Sequence, residues 1–206
     1  MRPRRTTACS ASGSTPTRSA PAGLGAEPTY AFCMAIVEAT ADLACAFKPN
    51  MAFFEALGPS GPATLQRLIA GMPRTVPVLV DAKRGDIGST AAAYAQAIFG
   101  WLGADAVTLS PYLGGDALAP FHRLRRQGCF VLCKTSNPGS ADLQDLQAAS
   151  GEPRHGRGAS AQHEVERQPQ RRAGGWRHLP GCWRVCGRQR PTCRCWCRGL
   201  ARRAAS

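Results

Sequence analysis

The chain has 206 residues and a formal net charge of +13, a length that suits one ordinary domain or a slightly short single barrel. The charge sits at the two ends: residues 1–20 carry +4, residues 151–206 carry +10 from thirteen Arg and three Glu, and residues 21–150 sit at −1. A neutral middle argues against a nucleic-acid-binding fold, for which total charge is the sole support, and no run of 18 apolar residues exists to span a membrane.

In chain order, the first 20 residues carry Arg but no apolar core of a secretory signal, so a cytoplasmic location is expected. Ala31–Thr40 is predicted helical, and Leu43–Phe47 is a short apolar strand ending in Lys48-Pro49-Asn50. Met51–Leu57 reads as a helix stopped by Gly58-Pro59, and Pro62–Ala70 as another. Val76–Val80 is a continuous apolar strand of the kind buried on both faces. Ser89–Leu102 is an Ala-rich helix, Ala106–Leu109 a strand, and Asp116–Gln127 a helix ending in basic residues and Gly128. Cys129–Cys133 is a strand followed by Lys134-Thr135-Ser136-Asn137-Pro138-Gly139.

Strand and helix alternate, with polar residues at each strand's C-terminal end, which is the pattern of a parallel α/β fold. No glycine-rich phosphate loop follows a first strand, so a closed barrel is favoured over an open doubly wound sheet. Three of the four strand ends carry Lys48, then Asp81, Lys83 and Asp86, then Lys134-Thr135-Ser136.

Beyond Leu146 the apolar periodicity stops, and a basic disordered tail is expected. Five of the ten Cys (Cys182, Cys186, Cys193, Cys195, Cys197) crowd into the last 25 residues, at spacings that match no paired Cys-x₂-Cys knuckle, so no metal site is predicted. Cys33, Cys45, Cys129 and Cys133 lie in apolar surroundings typical of reduced, buried thiols.

The charges of Asp81, Lys83 and Asp86 admit a bland reading as a solvated rim at a strand end. On an extended strand Asp81 and Lys83 would share a face, and Gly85 lets the chain turn before Asp86. Their context is more specific. AFKPN (Ala46–Asn50), DAKRGDIGSTAAAYA (Asp81–Ala95), VTLSPYLGGDAL (Val107–Leu118) and CKTSNPGSADLQ (Cys133–Gln144) occur in that order. Together they resemble the orotidine 5′-phosphate decarboxylases, in their longer bacterial subgroup.

The likeness runs from about Ala22 to Leu146. It implies a (β/α)₈ TIM barrel, usually a homodimer, that uses no metal or cofactor and converts orotidine 5′-phosphate to UMP, the last step of de novo pyrimidine biosynthesis. It also implies roles. Lys83 corresponds to the proton donor to C6 of the pyrimidine, Asp81 to the group beside the substrate carboxylate, and Lys48 to the residue that pairs with Asp81 and reaches the ribose. Asp86 would come from the neighbouring subunit, accompanied across the interface by Ile87 and Thr90, and Ser136 would bind the pyrimidine. A Mg²⁺-dependent sugar-phosphate lyase of the same suprafamily shares Asp-x-Lys-x-x-Asp, but the FKPN strand end, Ile87 and TSNPG favour the orotidylate enzyme.

The flanks depart from the family pattern. Where the family has a first strand resembling VGLDPDP, this chain reads ASGSTPTR (Ala11–Arg18). Codon degeneracy allows GCGTCGGGCTCGACCCCGACCCG for that stretch, and reading from two bases later gives VGLDPDP. GGWRHLPG (Gly174–Gly181) can likewise be encoded so that the next frame reads VVGATYP, similar to a later family strand. RPTCRCWCRGLARRAAS (Arg190–Ser206) can be encoded so that the frame one base earlier reads APDVPLLVPGLGAQGGE, similar to the family's phosphate loop. The expected organisation is therefore an aberrant segment 1–20, a partial barrel 21–146 and an aberrant tail 147–206. In that reading the first and last barrel strands are missing or out of frame.

Overall fold

The computed structural model describes residues 7–10, 25–122, 127–147, 149 and 183–185. The segments Ala11–Arg18, Gly174–Gly181 and Arg190–Ser206, and the tail cysteines, lie outside them. The chain divides into two units, one comprising residues up to Ala82 with Gln96–Val107, the other Lys83–Ala95 with the residues from Thr108 onward.

In the first unit, helix α1 spans Ala26–Thr40, starting before the predicted Ala31 because Pro28 falls in the first turn, where no amide donor is needed. Helix α3, Gly61–Gly71, lies against α1. Arg67 of α3 grips Glu27 bidentately at 2.8 and 2.5 Å and sets its guanidinium 3.6 Å above the Tyr30 ring. Exposed pairs of this kind add little to stability but fix orientation. The burial of Phe47, Phe54, Leu65, Leu68 and Val80 stabilises the unit far more, by roughly 1.5–3 kcal/mol per side chain.

Strand β1, Thr7–Ser10, pairs in parallel with β2, Ala44–Lys48, in the register Thr7↔Ala44 to Ser10↔Lys48. Helix α2, Met51–Glu55, begins at Asn50, whose Oδ1 accepts from the Ala52 amide at 3.1 Å. Helix α2 ends at Glu55, two residues before the predicted Leu57, and a 3₁₀ turn at Gly58–Ser60 then leads into α3. At the head of α3, a Cβ on Gly61 would overlap the Phe54 carbonyl oxygen. Because the obstacle is backbone, Gly61→Ala is expected to destabilise the chain by at least about 3 kcal/mol, read as a lower urea midpoint at unchanged slope.

Strand β3 runs Leu79–Arg84, shifted toward the C-terminus from the predicted Val76–Val80. The cause is a supply of donors. Val76 gives its amide to Pro73 O in a turn, Pro77 has none, and Val78 gives its own to Asp105 Oδ2 at 2.8 Å. Val78 still bridges Phe47, and Asn50 bridges Asp81, both in parallel. Asp81, Lys83 and Arg84 thus lie within the strand rather than after it, and Asp86 follows it.

Helix α4, Gly88–Ala95, passes into a π-helical turn at Gln96–Trp101, where the Leu102 amide reaches the Ala97 carbonyl five residues back, so the predicted single helix changes type midway. Strand β4 is Ala106–Leu109, as predicted. In the second unit, α5, Gly115–His122, packs Ala117, Leu118 and Phe121 beside the small residues Ala91 and Ala95 of α4. Residues 123–126, which the prediction assigned to the same helix, are outside the described residues. Strand β5 is Gly128–Leu132, and α6 is Ala141–Gln144. A short strand β6, Trp183–Val185, pairs in parallel with β5. The second sheet has the order β3-β4-β5-β6. Each flank expected to be aberrant therefore contributes one short strand, Thr7–Ser10 and Trp183–Val185.

Candidate active site

Lys48 ends β2 and Asp81 lies in β3, and the chain sets them together: the Asp81 amide donates to Pro49 O at 2.9 Å, and Lys48 Nζ lies 2.8 Å from Asp81 Oδ2. Asp81 is 7% exposed, and a carboxylate so buried is stabilised by the ammonium beside it. Pro49, fully buried, and Asn50, which caps α2, hold the turn that carries Lys48.

Lys83, Asp86, Ile87, Thr90 and Ser136 belong to the second unit. Lys83 follows Asp81 by two residues in β3 but has φ of +48°, in the left-handed region, so strand alternation does not carry through it and the expected shared face with Asp81 does not follow. Its side chain is exposed, and its amide donates to Thr108 Oγ1 of β4 at 2.9 Å. The next residue is braced twice: Arg84 O accepts from the Ser110 amide at 2.7 Å, and the Arg84 guanidinium lies 4.9 Å from the Tyr94 ring centre. Gly85 passes so close to Ser110 O that any side chain there would collide with it. Asp86 Oδ1 accepts from the Ile87 amide at 2.7 Å, and Ile87 O in turn accepts from Thr90 at the start of α4. Ile87 is 62% exposed and Thr90 is exposed, an open apolar and hydroxyl pair suited to facing another surface.

Ser136 is exposed on the loop after β5. The amide of Gln144 fixes that loop from both sides: Oε1 accepts from the Thr135 amide at 2.8 Å and Nε2 donates to Thr135 Oγ1 at 2.7 Å, while Thr135 Oγ1 donates to Asn137 Oδ1 at 2.7 Å. Lys134 Nζ is held by Asp145 Oδ1 at 2.5 Å. Sequence reasoning missed Thr108, Gln144 and Asp105, whose side chains bond the Lys83 amide, Thr135 and the Val78 amide. Thr108 alone left a signal, a single hydroxyl in the otherwise apolar strand AVTL.

Parallel strands alternating with helices, with Lys, Asp and Ser in or just beyond the strands, give the pattern of a β/α barrel. The family model described as orotidine 5′-phosphate decarboxylase / HUMPS matches residues 25–172, and the chain belongs to that family. The match continues past Leu146, where the partial barrel was expected to end. A protein from Roseiflexus sp. (strain RS-1) named orotidine 5′-phosphate decarboxylase is 65% identical over 128 residues, covering 62% of this chain and 47% of its own length. One of the same name from Herpetosiphon aurantiacus is 60% identical over 122 residues, covering 59% and 46%. The chain thus spans about half the length of the curated relatives it matches.

Among solved structures, a Leishmania donovani OMP decarboxylase is similar with TM-score 0.63 and 46% identity over 66% of this chain and 54% of that one. A structure from Toxoplasma gondii gives TM-score 0.70 and 44% identity over 72% and 51%. The fold is that of an incomplete TIM barrel, as expected. Nothing in these relatives supports the magnesium-dependent sugar-phosphate alternative.

Proposed function

We propose that this chain carries the catalytic charge cluster of an orotidine 5′-phosphate decarboxylase. The observation that carries the reading is the buried Asp81 carboxylate clamped by Lys48 two residues before Lys83. In the reaction, the bond between C6 of the pyrimidine and the carboxylate carbon breaks, CO₂ leaves, and the electron pair stays on C6. The Lys83 ammonium stands where that charge develops and delivers its proton to C6, giving UMP. The ring stabilises such a carbanion poorly, so a cation fixed in advance lowers the barrier without reorganisation. Asp81 faces the substrate carboxylate, Lys48 holds Asp81 and reaches the ribose, and Ser136 contacts the pyrimidine from the loop that Gln144 braces. Turnover uses neither metal nor cofactor. The working enzyme is a cytoplasmic homodimer without a nucleic-acid partner, and no described helix is long and apolar enough to cross a membrane.

The test uses a frame-restored chain, in which the stretches proposed to be out of frame, within residues 1–20 and 147–206, are restored at the DNA level. It is expected to consume orotidine 5′-phosphate, followed as loss of orotate absorbance, with metal chelated. Turnover of a sugar phosphate that depends on Mg²⁺ would overturn the reading. If Asp86 with Ile87 and Thr90 completes the neighbouring subunit's site, co-expressed Lys83→Ala and Asp86→Asn chains form mixed dimers with one doubly damaged and one intact site. About a quarter of the unmutated activity should then return. A confirmed mixed dimer without activity would put Asp86 and Lys83 in one site of one chain.

A further inference from the structure

We infer that Thr108 is a positioning residue for Lys83, holding its backbone in the left-handed conformation from which its ammonium is presented. This deepens the decarboxylase reading and rests on it for the role of Lys83. Three observations converge. Lys83 is the one described non-glycine residue with positive φ, at +48°, a conformation that costs an L-residue energy and persists where its surroundings impose it. Its amide finds a side-chain hydroxyl, Thr108 Oγ1, at 2.9 Å. Thr108 is itself 3% exposed in a strand whose other residues, Ala106, Val107 and Leu109, are apolar.

A buried hydroxyl in such a strand needs a hydrogen-bonding role, and the Lys83 amide gives it one. Branching at Cβ restricts the Thr108 rotamer, so the acceptor stays in one place. On the far side of Lys83, the Ser110 amide on Arg84 O and the close passage of Gly85 by Ser110 O keep the chain from relaxing back toward a regular strand. Residues 108 and 110 of one segment thus set the backbone on both sides of the ammonium-bearing residue.

Positioning and plain packing predict opposite orders of substitution. Thr108→Val keeps shape and removes the acceptor, whereas Thr108→Ser keeps the acceptor and loses a methyl. In the 206-residue and the frame-restored chains alike, the Lys83 amide should exchange with solvent at least about tenfold faster in Thr108→Val than in Thr108→Ser, measured by NMR. In the frame-restored chain, Thr108→Val should lower kcat about 10- to 100-fold with KM nearly unchanged, and Thr108→Ser should recover most of it. A Val variant with kcat within about threefold of the parent, or a Ser variant worse than Val, overturns the inference.

Should Thr108→Val not fold, the strain is read at Lys83 itself. Lys83→Gly should be more stable than Lys83→Ala, by about 2- to 5-fold in the folding equilibrium, because glycine takes positive φ freely. An Ala variant more stable than Gly, the ordinary order, overturns it. Unimpaired turnover by Lys83→Ala would instead overturn the decarboxylase reading and leave the exchange and stability results standing, so the two failures are distinct.

Discussion

In the frame-restored chain, Lys83→Ala should lower decarboxylation at least about 10³-fold while UMP binding stays within about threefold of the parent. The size follows from the two tasks given to one group. In the proposed reaction the Lys83 ammonium stabilises charge building at C6 and then supplies the proton that quenches it, and each effect alone commonly contributes about 10²-fold or more. Binding is spared because UMP carries neither a departing carboxylate nor a carbanion, so contacts made only in the transition state are not used. Asp81 and Lys48 do not substitute: Asp81 is an acceptor with its Oδ2 2.8 Å from Lys48 Nζ, and that ammonium is committed to a buried carboxylate. Turnover by Lys83→Ala near the parent rate would show that another group donates the proton. A parallel loss of UMP binding would show that Lys83 serves binding rather than chemistry.

The strand-helix alternation was legible because apolar runs and breakers such as Gly58-Pro59 are local signals. The pairing of Lys48 with Asp81 was legible through resemblance alone, since they lie 33 positions apart and no spacing rule links such positions. The start of β3 was misplaced because apolarity was read as strand while donors decided the ladder: Val76, Pro77 and Val78 lack free amides for it. The conformation of Lys83 was illegible for a different reason. Left-handed backbone is ordinarily signalled by Gly or Asn, and here a lysine adopts it with a hydroxyl from 25 residues away on its amide. Gln144 escaped notice similarly, because its work is done on Thr135 rather than on anything the motif itself suggests.

The chain as it stands, 206 residues long, should show no measurable orotidylate decarboxylation although Lys48, Asp81, Lys83 and Asp86 are all present. Remote contacts to a substrate phosphate position the reacting ring and hold a site closed, so their loss is felt in the chemical step. The resemblance implies a Gln in the phosphate loop and a substrate-binding Asp in the first strand, but there the chain reads RPTCRCWCRGLARRAAS, which contains no Gln, and ASGSTPTR, which contains no Asp. The short strands Thr7–Ser10 and Trp183–Val185 extend the two sheets by one strand each, but backbone pairing does not replace those side chains. The decisive measurement is loss of orotate absorbance with purified 206-residue chain and frame-restored chain side by side. Turnover is expected from the restored chain alone. Turnover by the 206-residue chain within about tenfold of ordinary enzyme rates, on the order of 1–10³ per second, would contradict that expectation.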